Sequence, residues 1–280
     1  MNLGRLLAAV RQRFERRGVP DASLEAEIII RHVLGLERAA LLAWPERVVT
    51  PAETAAIKAL AERRARGEPS AYIVGHRWFY GLDFHVGDGV LIPRPETEQL
   101  VELALSVIRA EGYRTAADVG TGSGVIAVSL ANQVPDLIVV ATDLSEAALA
   151  IARRNAERYG LAGRIDFRQG DLLEPLTTTV DVICANLPYV QATEITPDSP
   201  LSHEPRLALD GGRDGLDVFR RFFPQVGPRL RRGGRLFLEI GAGQAGAVLA
   251  LLEHDLPPGR FIVHRDLDKH ERIIEYRLTP

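Results

Sequence analysis

Ala116-Ala117-Asp118-Val119-Gly120-Thr121-Gly122-Ser123-Gly124-Val125-Ile126-Ala127-Val128-Ser129-Leu130 is the stretch that decides the fold. An apolar strand runs into a glycine loop, and the loop opens an apolar run with helical periodicity. Glycine lets a backbone approach a ligand closely, and a helix N-terminus offers N–H groups without partners. A second strand, Leu137 to Ala141, ends at Thr142-Asp143. Asp143 lies roughly 20 residues past the loop, where a carboxylate can accept both hydroxyls of a ribose. The unit therefore offers a nucleoside-shaped site.

Downstream, Asp181-Val182-Ile183-Cys184-Ala185-Asn186-Leu187-Pro188-Tyr189 reads as a buried strand with a stiff polar tip. Asn186 stands where the strand ends. Pro188 fixes its own φ and holds Leu187 extended. Tyr189 adds a flat aromatic face. An Asn on a stiff backbone beside a ring suits a planar amide or amino group, since its carbonyl accepts an N–H and the ring covers the plane. Taken alone, the same residues also read as a strand followed by a proline turn.

Two cofactor classes fit the glycine loop. Gly122-Ser123-Gly124-Val125-Ile126-Ala127 satisfies the dinucleotide fingerprint in a late register. The register Asp118-x-Gly120-x-Gly122-x-Gly124 resembles the first motif of S-adenosylmethionine-dependent methyltransferases. That resemblance implies a loop against the methionine end of the cofactor and an acid, Asp143, on its ribose. With Asn186-Leu187-Pro188-Tyr189 after the fourth strand, the chain resembles amino-group methyltransferases whose tip reads Asn/Asp-Pro-Pro-Tyr. A dehydrogenase would leave that tip unexplained.

The 280 residues are 46% hydrophobic and 25% charged, ordinary for a globular protein and long enough for two domains. A net charge of −3 demands no nucleic acid partner. The single Cys184 excludes an internal disulfide, which suits a reducing compartment, and its apolar strand makes it a packed thiol. Arg5, Arg11 and Arg13 interrupt any apolar leader, so neither signal peptide nor membrane span is expected and a cytoplasmic location is the default.

Residues 1 to about 70 read as helical, with Leu3, Leu6, Leu7, Val10 and Phe14 on one face and Gly18 as the stop. A second helix is expected from about Leu24 to Leu34, capped by Asp21 or Ser23. Thr50-Pro51-Ala52-Glu53 combines a capping box with a first-turn proline. The arginines at 11, 13, 16, 17, 63, 64 and 66 read as solvated helix faces. Around Gly81, Trp78-Phe79-Tyr80 and Leu82-Asp83-Phe84-His85-Val86 suggest a hairpin. A helix through about Ala110 follows, with Pro95 near its first turn. Strands are then expected at 116–119, 137–142, 164–168, 180–185, 235–240, 260–264 and 272–278. Helices are expected at 123–132, 145–159, 216–230 and 243–253. Such alternation means a largely parallel sheet covered on both faces, its last two strands an antiparallel pair at the edge.

Further stretches carry a closer resemblance: Ala71-Tyr72-Ile73-Val74-Gly75, Val90-Leu91-Ile92-Pro93-Arg94-Pro95-Glu96-Thr97-Glu98, Glu204-Pro205-Arg206-Leu207-Ala208-Leu209, Asp214-Gly215-Leu216, and Gly233-Gly234 to Glu239-Ile240-Gly241. With the loop and the tip they resemble the HemK/PrmC protein glutamine methyltransferases over nearly the whole chain. The Ile92 to Thr97 segment is the most specific, and it separates the chain from sister enzymes that methylate a glutamine of a ribosomal protein.

The resemblance implies an α/β fold: a seven-stranded, mostly parallel, Rossmann-like methyltransferase domain at 93–280, a hairpin linker at 76–92 and a helical substrate-recruiting domain at 1–75. It implies S-adenosylmethionine as cofactor, with S-adenosylhomocysteine as product. Asp118, Gly120, Thr121, Gly122, Ser123, Gly124, Asp143, Asp171, Leu172 and Asn186 are its expected site. The implied substrate is the glutamine of the Gly-Gly-Gln loop of a class 1 peptide chain release factor, met by Asn186, Leu187, Pro188 and Tyr189, with Arg94 and Glu96 shaping the channel or capping the next helix. A monomer is expected. Two departures stand out. Leu187 replaces the usual proline, and Leu267 to Arg272 lacks the usual glycine before what reads as an edge strand, where packing is at stake.

An amide nitrogen is a poor nucleophile, so positioning and polarisation are the work required. One acceptor is assigned to the Asn186 side-chain oxygen and one to the Leu187 carbonyl, with Pro188 and Tyr189 as walls. None of the seven histidines pairs at useful spacing, so neither a general base nor a metal is expected; His203 beside Glu204 reads as a surface loop contact. A methyltransferase for an exocyclic amine of a nucleic acid base would share the tip but need a base-flipping surface. A non-enzymatic adaptor would tolerate a spoiled cofactor loop, whereas Gly120, Gly122, Gly124 and Asp143 are all present.

Overall fold

The structure is a computed structural model that describes residues 1–197 and 199–279. Two compact units divide the chain, Met1–His76 and the residues from Arg77 onward.

The first unit is helical: α1 (Leu3–Arg16), α2 (Ala22–Leu34), α3 (Arg38–Ala43), α4 (Pro51–Ala65) and α5 (Ser70–Val74). Leu3, Leu6, Val10 and Phe14 of α1 share a core with Ile29, Ile30, Leu41 and Ile57. At the start of α4 the Thr50 hydroxyl accepts from Glu53 N at 3.2 Å and the Glu53 carboxylate accepts from Thr50 N at 2.8 Å. Asp21 occupies the cap position of α2 with φ 50° and makes no side-chain cap bond. At six and five residues, α3 and α5 are too short to show a helical period, which is why the sequence hid them. Arg64 is not a solvated arginine. It lies half-buried and pairs with Glu25 at 2.6 Å, while Arg13 pairs with Glu62.

A hairpin, β1 (His76–Phe79) and β2 (Leu82–His85), begins at the last residue of the first unit and opens the second. Tyr80 and Gly81 between them both take positive φ, the turn whose twist matches paired strands. There follow α6 (Pro95–Glu111), β3 (Thr115–Val119), α7 (Val125–Gln133), β4 (Ile138–Asp143), α8 (Glu146–Arg158), β5 (Ile165–Gln169), β6 (Val180–Asn186), α9 (Asp217–Val226), β7 (Leu230–Glu239), α10 (Ala245–Asp255), β8 (Gly259–Arg265) and β9 (Glu271–Leu278). Seven strands form one sheet in the order β5-β4-β3-β6-β7-β9-β8. All are parallel except β9, which runs antiparallel to both β7 and β8.

The expected edge pair is therefore present but transposed. β9 is internal and β8 is the edge. Burial explains it, for Ile273, Ile274, Glu275 and Tyr276 are all covered while β8 alternates toward solvent. At the turn before β9, Lys269 takes φ 66° where a glycine would be unstrained.

Strand order turns back beside β3, with β4 on one side and β6 on the other. In open α/β sheets a crevice forms outside the carboxyl ends of the strands at such a point. The register sets Val119 beside Ala185, so the glycine loop and the Asn186 tip leave adjacent strands side by side. No helix among the described residues is long and apolar enough to cross a membrane.

Candidate active site

At that crevice lies a cavity of about 530 Å³. Gly120, Gly122, Asp143, Asp171, Leu172, Asn186, Leu187 and Pro188 all line it, together with the unforeseen Leu91, Leu207 and Arg221. A smaller cavity of about 80 Å³ is lined by Arg94, Tyr189 and Leu201, among others. Asn186, Leu187, Leu91 and Ala208 line both.

Gly120, Gly122 and Gly124 take φ of 69°, 55° and 83°, the left-handed region that side chains resist. A Cβ on Gly120 would also stand 3.1 Å from the Leu187 Cδ2, and one on Gly124 would stand 3.1 Å from the Ala152 Cβ. The loop therefore presents bare backbone to the cavity. Asp143 fastens it: Gly122 N donates to Oδ2 at 2.9 Å and Ser145 N donates to Oδ1 at 2.9 Å. With Leu144 N also directed at it, the carboxylate keeps lone-pair capacity for a further donor. Burial raises the Asp143 carboxyl above its ordinary range, against the pull of these amides.

Asp118 does something else. It is fully buried beneath the loop, where Oδ2 accepts from the Thr121 hydroxyl at 2.6 Å and from Ala127 N at 3.0 Å. Burial pushes its carboxyl up to about 7. Thr121, Ser123 and Gly124 also lie outside the cavity lining. These four residues shape the loop from below.

Across the cavity, Asp171 is paired with Arg221 of α9. Leu172, next in the chain, takes φ 54°, a strained conformation for a non-glycine residue that costs on the order of 1–3 kcal/mol. It is held by the Thr142 hydroxyl, which donates to its carbonyl at 2.8 Å.

At the tip, Asn186 Nδ2 donates to the Thr97 hydroxyl at 3.0 Å, and that hydroxyl donates to Glu239 Oε2 at 2.7 Å. The Tyr189 hydroxyl donates to Glu239 Oε1 at 3.3 Å. The register of β6 and β7 sets Asn186 directly beside Glu239, and Thr97 projects from the first turn of α6. Burial, opposed chiefly by the Thr97 bond, pushes the Glu239 carboxyl up to about 7. Burial also raises the Tyr189 phenol. The tip backbone is clamped as well, since Gln244 Nε2 donates to the Tyr189 carbonyl at 3.0 Å.

Two expectations need correction. Glu204 is not a surface residue: it is buried, accepts from Ile92 N at 2.9 Å and pairs with Arg94, so it ties the loop after β6 to the segment before α6. His203 is exposed beside it. Arg94 occupies the cap position of α6 without capping it, and Glu96 is exposed and lines neither cavity. Thr97 and Glu239 stood in stretches that carry the resemblance, and sequence reasoning gave neither a role in the site. The signal for Glu239 was a carboxylate closing the apolar run Leu236-Phe237-Leu238, a place where a charge must find partners. Among the described residues no cluster of His, Cys, Asp and Glu could hold a metal.

A family model for the PrmC N-terminal domain matches residues 5–75, and one for the methyltransferase small domain matches 97–199. A release factor glutamine methyltransferase of Moorella thermoacetica is 44% identical over 89% of this chain and 88% of its own length. One from Cereibacter sphaeroides is 39% identical over 97% of both chains. Among solved structures, a ribosomal protein L11 methylase from Lactobacillus delbrueckii superposes with a TM-score of 0.50 at 22% identity, over 69% of this chain and 82% of its own. A 16S rRNA methyltransferase from T. thermophilus, in complex with AdoMet and guanosine, gives 0.53 at 20% identity, over 72% of this chain and 49% of its own. These likenesses show the fold of an S-adenosylmethionine-dependent methyltransferase. The two relatives span both units of the chain, and by that measure it belongs to the release factor glutamine methyltransferase family.

Proposed function

We propose that this chain methylates the side-chain nitrogen of the glutamine in the Gly-Gly-Gln loop of a class 1 peptide chain release factor. The observation that carries the reading is that Asn186 and Leu187 line both cavities, so one wall serves the large chamber and the small one.

The large chamber suits S-adenosylmethionine in volume and in chemistry. Its sulfonium methyl supplies the electrophile. Gly120 and Gly122 allow backbone contact with the amino acid end, Asp143 offers lone pairs to the ribose hydroxyls, and Asp171 and Leu172 border the base. Asp118, Thr121, Ser123 and Gly124 support the loop from beneath.

The small chamber suits the glutamine side chain. Asn186 Nδ2 is engaged by Thr97, which leaves Oδ1 to accept one amide N–H, and the Leu187 carbonyl accepts the other. Two acceptors fix the nitrogen in line with the methyl and stabilise the positive charge that develops on it. Pro188 and Tyr189 wall the amide, and Arg94, held by Glu204, borders the entrance. The leucine at position 187 is compatible with this role, because only its carbonyl is used and Pro188 keeps it extended. The helical residues 1–75 recruit the body of the release factor, and the enzyme acts as a cytoplasmic monomer.

Purified chain with labelled S-adenosylmethionine should transfer label to a release factor and leave a factor whose Gly-Gly-Gln glutamine is replaced unlabelled. Equal labelling of both would contradict the reading.

A further inference from the structure

We propose that Glu239 is a positioning residue that sets the polarity of the acceptor clamp, acting on Asn186 through Thr97 and on Tyr189 directly. The inference rests on the reading of the tip as an amide clamp. It concerns how that clamp is kept from turning round.

An Asn side chain is nearly symmetric in shape, and its two ends are opposite in chemistry. Presented with Oδ1 forward it accepts an amide N–H; presented with Nδ2 forward it repels one. Rotation by half a turn would therefore convert an acceptor site into a donor site at little steric cost. The structure holds a device against this. Once ionised, above about pH 7, Glu239 can only accept. The single Thr97 proton is thereby drawn to Oε2 at 2.7 Å, which leaves the Thr97 oxygen as an acceptor. Only the Nδ2 end of Asn186 can satisfy it, at 3.0 Å, so Oδ1 must face the substrate. The same carboxylate accepts from the Tyr189 hydroxyl at 3.3 Å, so one group fixes the clamp and the ring beside it.

The fold supplies this arrangement from three distant places. The register puts Asn186 beside Glu239 on neighbouring strands. Thr97 reaches them from the start of α6 and is buried. Burial opposes the ionised carboxylate most, and exposed Glu96 adds to it; the Thr97 bond and Arg272 of β9, whose guanidinium donates to the Ile240 carbonyl at 3.3 Å, favour it.

The test compares Thr97→Val, Thr97→Ser and Glu239→Gln in the full chain. Valine keeps the shape and removes the relay, serine keeps the hydroxyl, and glutamine lets a donor face Thr97. Thr97→Val and Glu239→Gln should each lower kcat about 10- to 100-fold, the loss expected for a mispaired polar group in a dry site, with cofactor affinity unchanged. Thr97→Ser should recover most of the rate. In ¹⁵N spectra the Asn186 side-chain amide should exchange slowly in wild type and Thr97→Ser, and fast in Thr97→Val. A Thr97→Val chain with wild-type kcat and a protected Asn186 amide would overturn the proposal, as would a Thr97→Ser chain as slow as Thr97→Val. A wild-type chain that never methylates a release factor would sink the proposed substrate instead, and the exchange pattern would then decide on the relay alone.

Discussion

Asp143 and Asn186 face the same cavity and are anchored in opposite ways. Asp143 is held by main-chain amides two residues ahead and 21 residues behind it. Asn186 is held by a side chain 89 residues away, which is held by another 142 residues further on. The first anchor is a property of one strand–loop–strand unit. The second exists only when β6, β7 and α6 have all docked in register. The nucleoside side is thus a local construction that many acceptors can share. The acceptor side depends on the whole sheet, and there a side chain's orientation, rather than a loop's shape, decides what is bound.

This contrast can be broken by single substitutions. Asn186→Ala should have the largest effect, because it leaves an amide N–H unpaired in a dry site. A loss of about 10²–10³ in kcat is expected, with cofactor binding by calorimetry unchanged. Weakened cofactor binding of the same size would mean that the two sides are not separate. Asp143→Ala should reverse the pattern. Removing a charged acceptor should weaken cofactor binding about 10- to 100-fold and lower the rate at saturating cofactor far less.

A smaller effect, on stability, distinguishes the buried acid under the loop. Asp118 has its carboxyl pushed up to about 7 from an ordinary value of 3.8. Between those values the folded chain holds a proton that the unfolded chain has lost. Stability should therefore fall as pH rises from about 4 to about 7, and Glu239 adds a fall of the same sign. Asp118→Asn keeps an acceptor for Thr121 and Ala127 and removes the buried charge. Urea unfolding should show it gaining on the order of 1–3 kcal/mol relative to wild type at about pH 8, and little at about pH 4. An equal gain at both would mean that ionisation is not the cause.

The smallest effect belongs to Leu187→Pro. If only the carbonyl serves, turnover should stay within a few-fold. The leucine side chain is 2% exposed and packs toward Gly120, so the variant should lose about 1 kcal/mol of stability. Abolished turnover in a folded, cofactor-binding chain would mean that the side chain itself shapes the clamp.

What could be read from the sequence follows the same division. The glycine loop, Asp143 and the seven strands each carry a signal within a short window, through periodicity, turn glycines or spacing. The Asn186 tip was legible because Pro188 announces a stiff backbone. Thr97 and Glu239 gave no local sign of acting together, since nothing within a window links the start of a helix to the end of a strand 142 residues later. The transposed β8 and β9 were missed for a related reason: adjacency in sequence fixes an antiparallel pair and leaves open which member faces the rest of the sheet. Short α3 and α5 lack the length to declare a period.

The most direct test of the central claim is to map the methyl group itself. A release factor incubated with this chain and S-adenosylmethionine would be digested and its peptides fragmented in a mass spectrometer. The expected result is a single added methyl on the side-chain nitrogen of the Gly-Gly-Gln glutamine, abolished with Asn186→Ala at saturating cofactor. A methyl found on any other residue, or at wild-type yield with Asn186→Ala, would contradict the assignment of the tip as the clamp for that amide.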